Sequence, residues 1–382
     1  MNICYINMNK GFRGGIETTT EALAEQFIIR GHNISIVCDK IGQNEKYRKK
    51  FQVVEIPQVN IIDSEQNINF LVEFFRDNKI DIAILQIYFP QTTDLVVKAV
   101  RTLNCVKLIS CWHNCLILDL ITAKGFKRYL TRLLFRVYIM PKRIHRIKKR
   151  LCNIYDKSNL MVLLSEKYCE QLKNFVPEKK FDDLRFIPAP LIFSQEIVDF
   201  AKKKQQLLFI GRFHEEQKRM SLILKTWERI TKLKCYSNWR LKLVGSGPNE
   251  EITKVKSQAE NLPRIDFEGW QNPKEYYEES SIFLMTSAFE GLPMTLIESQ
   301  NFGCVPVAMD SFASLPDIIQ NYENGFIVPN NDLEAFTEKV CLLMDNQELR
   351  EKMGKNGIEF VKKFSTEKIV DKWETLFEEL SK

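Results

Sequence analysis

The chain has 382 residues, enough for about two domains of ordinary size, with the 45% apolar content of a globular protein and no run of about 18 apolar residues that would span a membrane. Ten cysteines lie scattered without a Cys-x-x-Cys pair and there are only four histidines, so reduced core thiols are expected and a disulfide framework or metal cluster is not. The net charge of +6 conceals an asymmetry: residues 1–195 hold 30 basic against 19 acidic side chains, residues 196–382 hold 25 against 30, so the two halves face different partners.

Asn2 to Met8 reads as a first strand, without the basic flank and long apolar stretch of a signal peptide, and the chain is expected to stay in the cytoplasm. A loop with Gly11, Gly14 and Gly15 leads into a helical pattern from Glu17 to Arg30, closed by Gly31. Strands are predicted at Ile34–Cys38, Val53–Ile56, Ile82–Ile87, Val106–Cys111 and Leu160–Leu164, each separated by helical or loop sequence. Alternation of this kind predicts a largely parallel sheet covered on both faces. Ile187-Pro-Ala-Pro-Leu191 breaks the pattern, and the polar stretch to residue 205 reads as a linker.

A second alternating series follows: strand Leu207–Ile210, helix Met220–Thr231, strands Arg240–Val244, Ile265–Phe267 and Ile282–Met285, helix Met294–Phe302, and strand Val305–Ala308. Helices at Leu333–Met344 and Gln347–Lys363 complete it, and a terminal helix spans Thr366–Leu380. The fold class is therefore α/β, two doubly wound Rossmann-like domains facing a central cleft, with the site where the strands' carboxyl ends meet it. The expected boundaries are 1–190, a linker at 191–205, 206–365, and a terminal helix at 366–382.

Chemistry concentrates where these strands end. After Ile282–Met285 come Glu290-Gly291-Leu292-Pro293-Met294-Thr295 and then Glu298, eight positions beyond Glu290. Gly291 permits close backbone approach and Pro293 favours a first helical turn, so the amides near Met294 to Leu296 are free to meet an anion. Glu298 falls in the first turns of that helix, where its carboxylate can accept two hydroxyl hydrogen bonds, while Glu290 reaches another part of the same ligand. Two carboxylates flanking an anion-binding helix start suit a diphosphate set between two hydroxyl-rich groups.

The loop after Leu207–Ile210 carries Arg212 and Lys218, a fork and a point charge able to neutralise a diphosphate; a solvated basic loop is the alternative. Gly245-Ser246-Gly247-Pro248 and Gly14-Gly15 are further strand-to-helix turns, serving either close ligand approach or packing. Neither is Gly-x-Gly-x-x-Gly, so a dinucleotide fingerprint fits poorly even though Asp39 ends the second strand. His113 follows a strand of the first domain, where it is placed to contact a sugar or orient a reaction.

Residues 124–150 hold eleven Lys or Arg and no acidic residue. Arg128, Arg132 and Arg136 form a basic stripe beside apolar positions at helical spacing, and Lys142, Arg143 and Arg146 continue it after Pro141. Such a surface can lie on anionic lipid or simply be a solvated helix face; no nucleic-acid motif accompanies it.

Gly14-Gly15, the Gly211-Arg212 to Lys218 loop, Gly245-x-Gly-Pro and Phe-Glu290-Gly-x-Pro to Glu298, in this order, resemble a retaining glycosyltransferase of family 4 with the GT-B architecture. The resemblance is strongest over residues 205–330 and weaker over the first domain. Gln217-Lys218-Arg219, Gly303-Cys-Val-Pro306 and Asn324-Gly325 with Val328 add to it. It looks most like bacterial enzymes that extend lipopolysaccharide, capsule or exopolysaccharide sugars, including galactosyltransferases. Ala189 stands where relatives often carry Asn.

The resemblance implies transfer of a hexose (galactose, glucose or N-acetylhexosamine) from a nucleotide diphosphate sugar, UDP-linked, to a lipid-linked glycan acceptor in polysaccharide biosynthesis. It places the work on the inner face of the plasma membrane, with the protein peripherally bound and no nucleic acid involved. Glu290 would contact the transferred sugar and His113 would stand beside it. Arg212 and Lys218 would hold the diphosphate and Glu298 the ribose, with Gly15, Gly245, Gly291, Leu292, Pro293, Met294 and Thr295 completing the donor site. No Asp-x-Asp occurs, in keeping with transfer that needs neither metal nor other cofactor. A nucleotide-sugar epimerase of similar fold, acting on donor alone, and a non-catalytic sugar-nucleotide-binding subunit are the alternatives.

Overall fold

A computed structural model describes residues 1–8, 14–40, 50–86, 90–115, 140–194 and 197–381. The chain divides into two compact units, one formed by Met1–Ile192 with Thr366–Lys382, the other by Phe193–Ser365.

The first unit is built from β1 (Asn2–Asn7), α1 (Gly15–Ile29), β2 (Asn33–Cys38), β3 (Gln52–Glu55), α2 (Glu65–Asp77), β4 (Ile82–Gln86), α3 (Pro90–Leu103), β5 (Lys107–Trp112), α4 (Met140–Lys157), β6 (Leu160–Leu163), α5 (Glu166–Phe175) and β7 (Leu184–Phe186). Its strands lie in the order β3-β2-β1-β4-β5-β6-β7, every described pair parallel. The central strands β1, β4 and β5 are buried but for their first residues in β1 and β5, as strands covered by helices on both faces are. Alternate residues Ile3, Tyr5, Ile82, Ile84, Ile109 and Cys111 belong to one core with Leu23, Ala24 and Phe27 of α1.

The second unit comprises β8 (Lys204–Ile210), the single turn α6 (Glu215–Lys218), α7 (Met220–Thr231), β9 (Arg240–Val244), α8 (Asn249–Ala259), β10 (Ile265–Gly269), α9 (Lys274–Glu279), β11 (Ser280–Met285), α10 (Met294–Asn301), β12 (Val305–Asp310), β13 (Phe326–Pro329), α11 (Leu333–Asp345) and α12 (Gln347–Val361). Its order is β10-β9-β8-β11-β12-β13, again parallel. Leu207, Phe209, Leu241, Leu243, Ile282 and Leu284 pack with Met220, Ile223 and Trp227 of α7 and Phe336 and Val340 of α11. The fully buried Trp227 keeps its indole N–H satisfied by donating to the Pro263 carbonyl at 2.8 Å.

The last helix, α13 (Thr366–Ser381), belongs to the first unit. Ile369, Trp373 and Phe377 enter the core that holds Phe27, and Arg30 of the α1 C-cap reaches Asp371 at 2.6 Å and Glu374 at 2.5 Å.

Two doubly wound parallel units in one chain are the GT-B architecture expected from the sequence. The segment read as a linker corrects in part. Phe200–Lys202 forms a 3₁₀ turn and β8 starts at Lys204, three residues before the apolar run. Polar Gln206 is accommodated in that strand because its amide donates to the Ser280 hydroxyl at 2.6 Å. Two short strands, β7 and β13, add to the predicted series.

Candidate functional site

The chain leaves β8 toward β9 on one side and β11 toward β12 on the other, so β8 and β11 flank the point where the winding reverses. Ligands of open α/β sheets bind outside the carboxyl ends of such strands. Lys218 arrives there on α6 after β8, and Glu290 arrives on the segment after β11. Their side chains meet: Lys218 Nζ donates to Glu290 Oε1 at 2.6 Å, with only 12% and 10% of the two side chains exposed. Gln217 adds an N–H donated to Glu290 Oε2 at 3.3 Å. The exposed Arg212 makes no ion pair among the described residues and lies on the same loop.

Backbone contacts fix the segment that bears Glu290. The Ala288 amide donates to the Gln217 carbonyl at 2.6 Å, and the Ser314 hydroxyl donates to the Gly291 carbonyl at 2.6 Å. Ser311 donates to the Ser287 carbonyl. Leu292 and Pro293 are buried and lead into α10, whose cap residue Pro293 provides no side-chain hydrogen bond. Met294 and Thr295 in the first turn are partly buried, and the Thr295 hydroxyl oxygen has no partner among the described residues. An uncapped helix start beside an orphaned hydroxyl is a place where an anion's oxygens would be satisfied.

Glu298 lies in the second turn of α10 and is 8% exposed. Its Oε2 accepts from the Tyr277 hydroxyl at 2.8 Å. Burial pushes its carboxyl up to about 7, against the Tyr277 hydrogen bond, which works to lower it. Tyr277 is itself fully buried and stacked on Phe302 with ring centres 5.8 Å apart, so its hydroxyl is held still. Lys203 donates to the Tyr277 carbonyl at 2.7 Å, and burial brings its ammonium down to about 8.

The turn after β9 has a packing explanation. Gly245 has φ of +142°, and a Cβ there would lie 1.8 Å from the Gly211 carbonyl oxygen; one at Gly247 would lie 2.3 Å from that of Phe213. The Gly211 amide donates to the Val244 carbonyl at 3.0 Å and the Phe213 amide to the Ser246 carbonyl at 2.8 Å. Both glycines let this turn press against the loop that carries Arg212.

In the first unit the winding reverses between β1 and β4. After β1, the Gly14 amide donates to Glu17 Oε2 at 2.7 Å, and Asn7 donates to Glu17 Oε1 at 3.3 Å. A Cβ on Gly15 would meet nothing within 4 Å among the described residues. His113 follows β5 and its Nε2 contacts Gln86 Oε1 at the end of β4, while Gln86 donates to Thr20 at 3.3 Å. Burial holds the His113 imidazole down at about 4, so it is neutral near pH 7. Lys142, Arg143 and Arg146 lie on α4, whose Ile147, Leu151 and Ile154 are buried. Arg128, Arg132 and Arg136 lie outside the described residues.

The site therefore gathers Lys218, Glu290 and Gln217 in the second unit, with Glu298 on the adjoining helix. Neither Gln217 nor Tyr277 has a site role in the sequence reading. Gln217 is signalled by its place in Gln217-Lys218-Arg219, and Tyr277 by no local pattern, since it sits 21 positions before its partner.

Residues 193–360 match the family model of the glycosyl transferases group 1. A Haemophilus influenzae protein described as an uncharacterized glycosyltransferase is 31% identical over 173 residues, 45% of this chain and 48% of that one. An alpha-1,4-N-acetyl-D-galactosaminyltransferase of Campylobacter jejuni, whose full name specifies a PP-undecaprenol-linked glycan, is 28% identical over 194 residues, 50% of this chain and 53% of that one. The chain thus spans about half the length of these curated relatives. Among solved structures, Anabaena HepE in complex with UDP and glucose superposes with a TM-score of 0.76 at 12% identity, covering 98% of this chain and 99% of that one. The likeness in fold runs through both units, and the family model matches within the second, apart from its last five residues.

Proposed function

We propose that the chain is a retaining glycosyltransferase of family 4 that moves a hexose from a UDP-linked sugar to a lipid-linked glycan acceptor in polysaccharide biosynthesis. The observation that carries this reading is the Lys218–Glu290 pair at the reversal point, followed at once by an uncapped helix start with Glu298 in its second turn. The Campylobacter relative's PP-undecaprenol-linked glycan and the UDP and glucose bound by HepE support the same substrate classes.

Each group then has a task. The first-turn amides of α10, the Thr295 hydroxyl, Arg212 and Lys218 receive the donor diphosphate, and Glu298 accepts the ribose hydroxyls. Glu290, held by Lys218 and Gln217, offers its carboxylate to the sugar's hydroxyls. The acceptor oxygen bonds to the anomeric carbon on the face from which the phosphate oxygen leaves, and the acceptor proton passes to that departing phosphate. Lys218 and Arg212 stabilise the charge that develops on it. His113, neutral and held by Gln86, is assigned to contact with the transferred sugar. Gly15 is assigned to the donor's phosphates as well, and α4 with the basic sequence before it to the anionic inner face of the plasma membrane.

The test is release of UDP from UDP-galactose or UDP-N-acetylglucosamine with and without a diphosphate-lipid-linked glycan. Transfer predicts acceptor-dependent release and a product of one added hexose. Conversion of donor by itself would instead make the chain an epimerase, and a Glu290→Ala variant transferring at the normal rate would remove Glu290 from the site.

A further inference from the structure

Arg219 is the residue after Lys218, and it carries no role in the donor site described above. Its surroundings are unusual for a cation. Its backbone is left-handed, with φ of +50° and ψ of +51° between the end of α6 and the start of α7. Its guanidinium is turned inward, where Nε donates to the Thr286 carbonyl and one terminal nitrogen donates to the Ser287 carbonyl at 2.7 Å. The other terminal nitrogen donates to the side-chain oxygens of Asn330 and Asn331, both at 2.7 Å. The tie is reciprocal, since the Thr286 hydroxyl donates to the carbonyls of Lys218 at 2.8 Å and Arg219 at 3.1 Å.

Neutral acceptors on two segments, 286–287 and 330–331, are thus spanned by one planar fork. Thr286 and Ser287 open the segment that ends in Glu290, and Lys218 is Arg219's own neighbour. Burial draws the guanidinium down to about 10, a cost accepted without a carboxylate hydrogen-bond partner among the described residues. A lysine could not make these bonds together, because its donors radiate from one point. We infer that Arg219 is the positioning residue of the donor site: it clamps the strand ends after β8 and β11 so that Lys218 and Glu290 face the diphosphate in fixed geometry. This rests on the donor-binding reading of that pair.

The test is a double-mutant cycle on UDP affinity, measured by calorimetry at a temperature where circular dichroism shows each variant folded. Arg219→Gly, which accommodates the left-handed backbone but loses the fork, is expected to weaken UDP binding tenfold or more in the wild-type background. In the Lys218→Ala background the same change is expected to weaken it less than twofold, because the residue being positioned is gone. Arg219→Lys, which keeps the charge and serves if the glycine variant does not fold, is expected to follow Arg219→Gly. Unchanged UDP affinity in a folded Arg219 variant, or the same loss in both backgrounds, would overturn the inference while leaving the donor site standing. Wild-type protein that binds no UDP would overturn the donor-site reading and this inference with it.

Discussion

Lys218 and Glu290 stand 72 positions apart in sequence and 2.6 Å apart in space, one at the end of each strand bordering the reversal point. Removing one partner of a largely buried pair leaves a charge that the surroundings cannot hydrate. Lys218→Met is expected to destabilise the protein by about 3 kcal/mol, and the double change Lys218→Met with Glu290→Gln to recover most of that loss without restoring donor binding. Urea unfolding followed by calorimetry with UDP separates the two effects.

Glu298 sets a pH dependence whose sign can be stated. The ribose hydroxyls need the carboxylate, and in the free protein this group keeps its proton up to about 7. UDP affinity is therefore expected to rise as pH increases through 7, with proton release on binding that changes the heat measured in buffers of different ionisation enthalpy. Stability of the free protein runs the other way. Between its ordinary value of 4.5 and about 7 the folded chain holds a proton that the unfolded chain has lost, so this group's contribution falls as pH rises through that window.

The two glycine turns should respond oppositely to alanine. Gly245→Ala drives a methyl group into the Gly211 carbonyl and is expected to cost about 2–4 kcal/mol, lowering the melting temperature of the protein. Gly15→Ala is expected to leave stability within about 0.5 kcal/mol and to weaken the donor instead, because its methyl group would meet no atom of the described residues within 4 Å. Thermal unfolding with and without UDP reads both.

His113 should contribute without titrating. Its imidazole is held down at about 4, so His113→Phe is expected to lower kcat/KM by about tenfold to a hundredfold while leaving the shape of the profile between pH 5.5 and 8 as in the wild type. Initial rates across that range check it.

The basic helix offers a separate measurement. Replacing Lys142, Arg143 and Arg146 by Gln is expected to weaken binding to vesicles rich in anionic lipid by about 1 kcal/mol per residue, with the loss shrinking at high salt. Flotation at two salt concentrations reads it, and equal binding by the triple variant would assign those residues to an ordinary solvated face.

The elements most legible in the sequence are those whose apolar pattern is continuous. β9 and α7 have the bounds that periodicity predicts, and β1, β2 and β12 lie within two residues of theirs. β7 escapes because it is three residues long and partly exposed at the sheet's edge, and β13, four residues long, is the edge strand of the second sheet. β8 begins early because a polar residue can join a buried strand when a neighbouring strand supplies its partner, as Ser280 does for Gln206. At the site, residue types and strand ends are readable from spacing, whereas contacts are not. Nothing near Glu298 in sequence announces Tyr277, and the glycines at 245 and 247 read equally as ligand cradle or packing until the carbonyls of Gly211 and Phe213 are seen against them.

α13 imposes an order on folding. Its residues leave a ribosome after the whole of the second unit, yet Ile369, Trp373 and Phe377 complete a core begun at Ile3. During synthesis the second unit can close on itself while the first still exposes Phe27 and its neighbours, a long-range closure of the slow and aggregation-exposed kind. A chain ending before residue 366 is then expected to leave the apolar surface around Phe27 uncovered, which its sensitivity to protease would read.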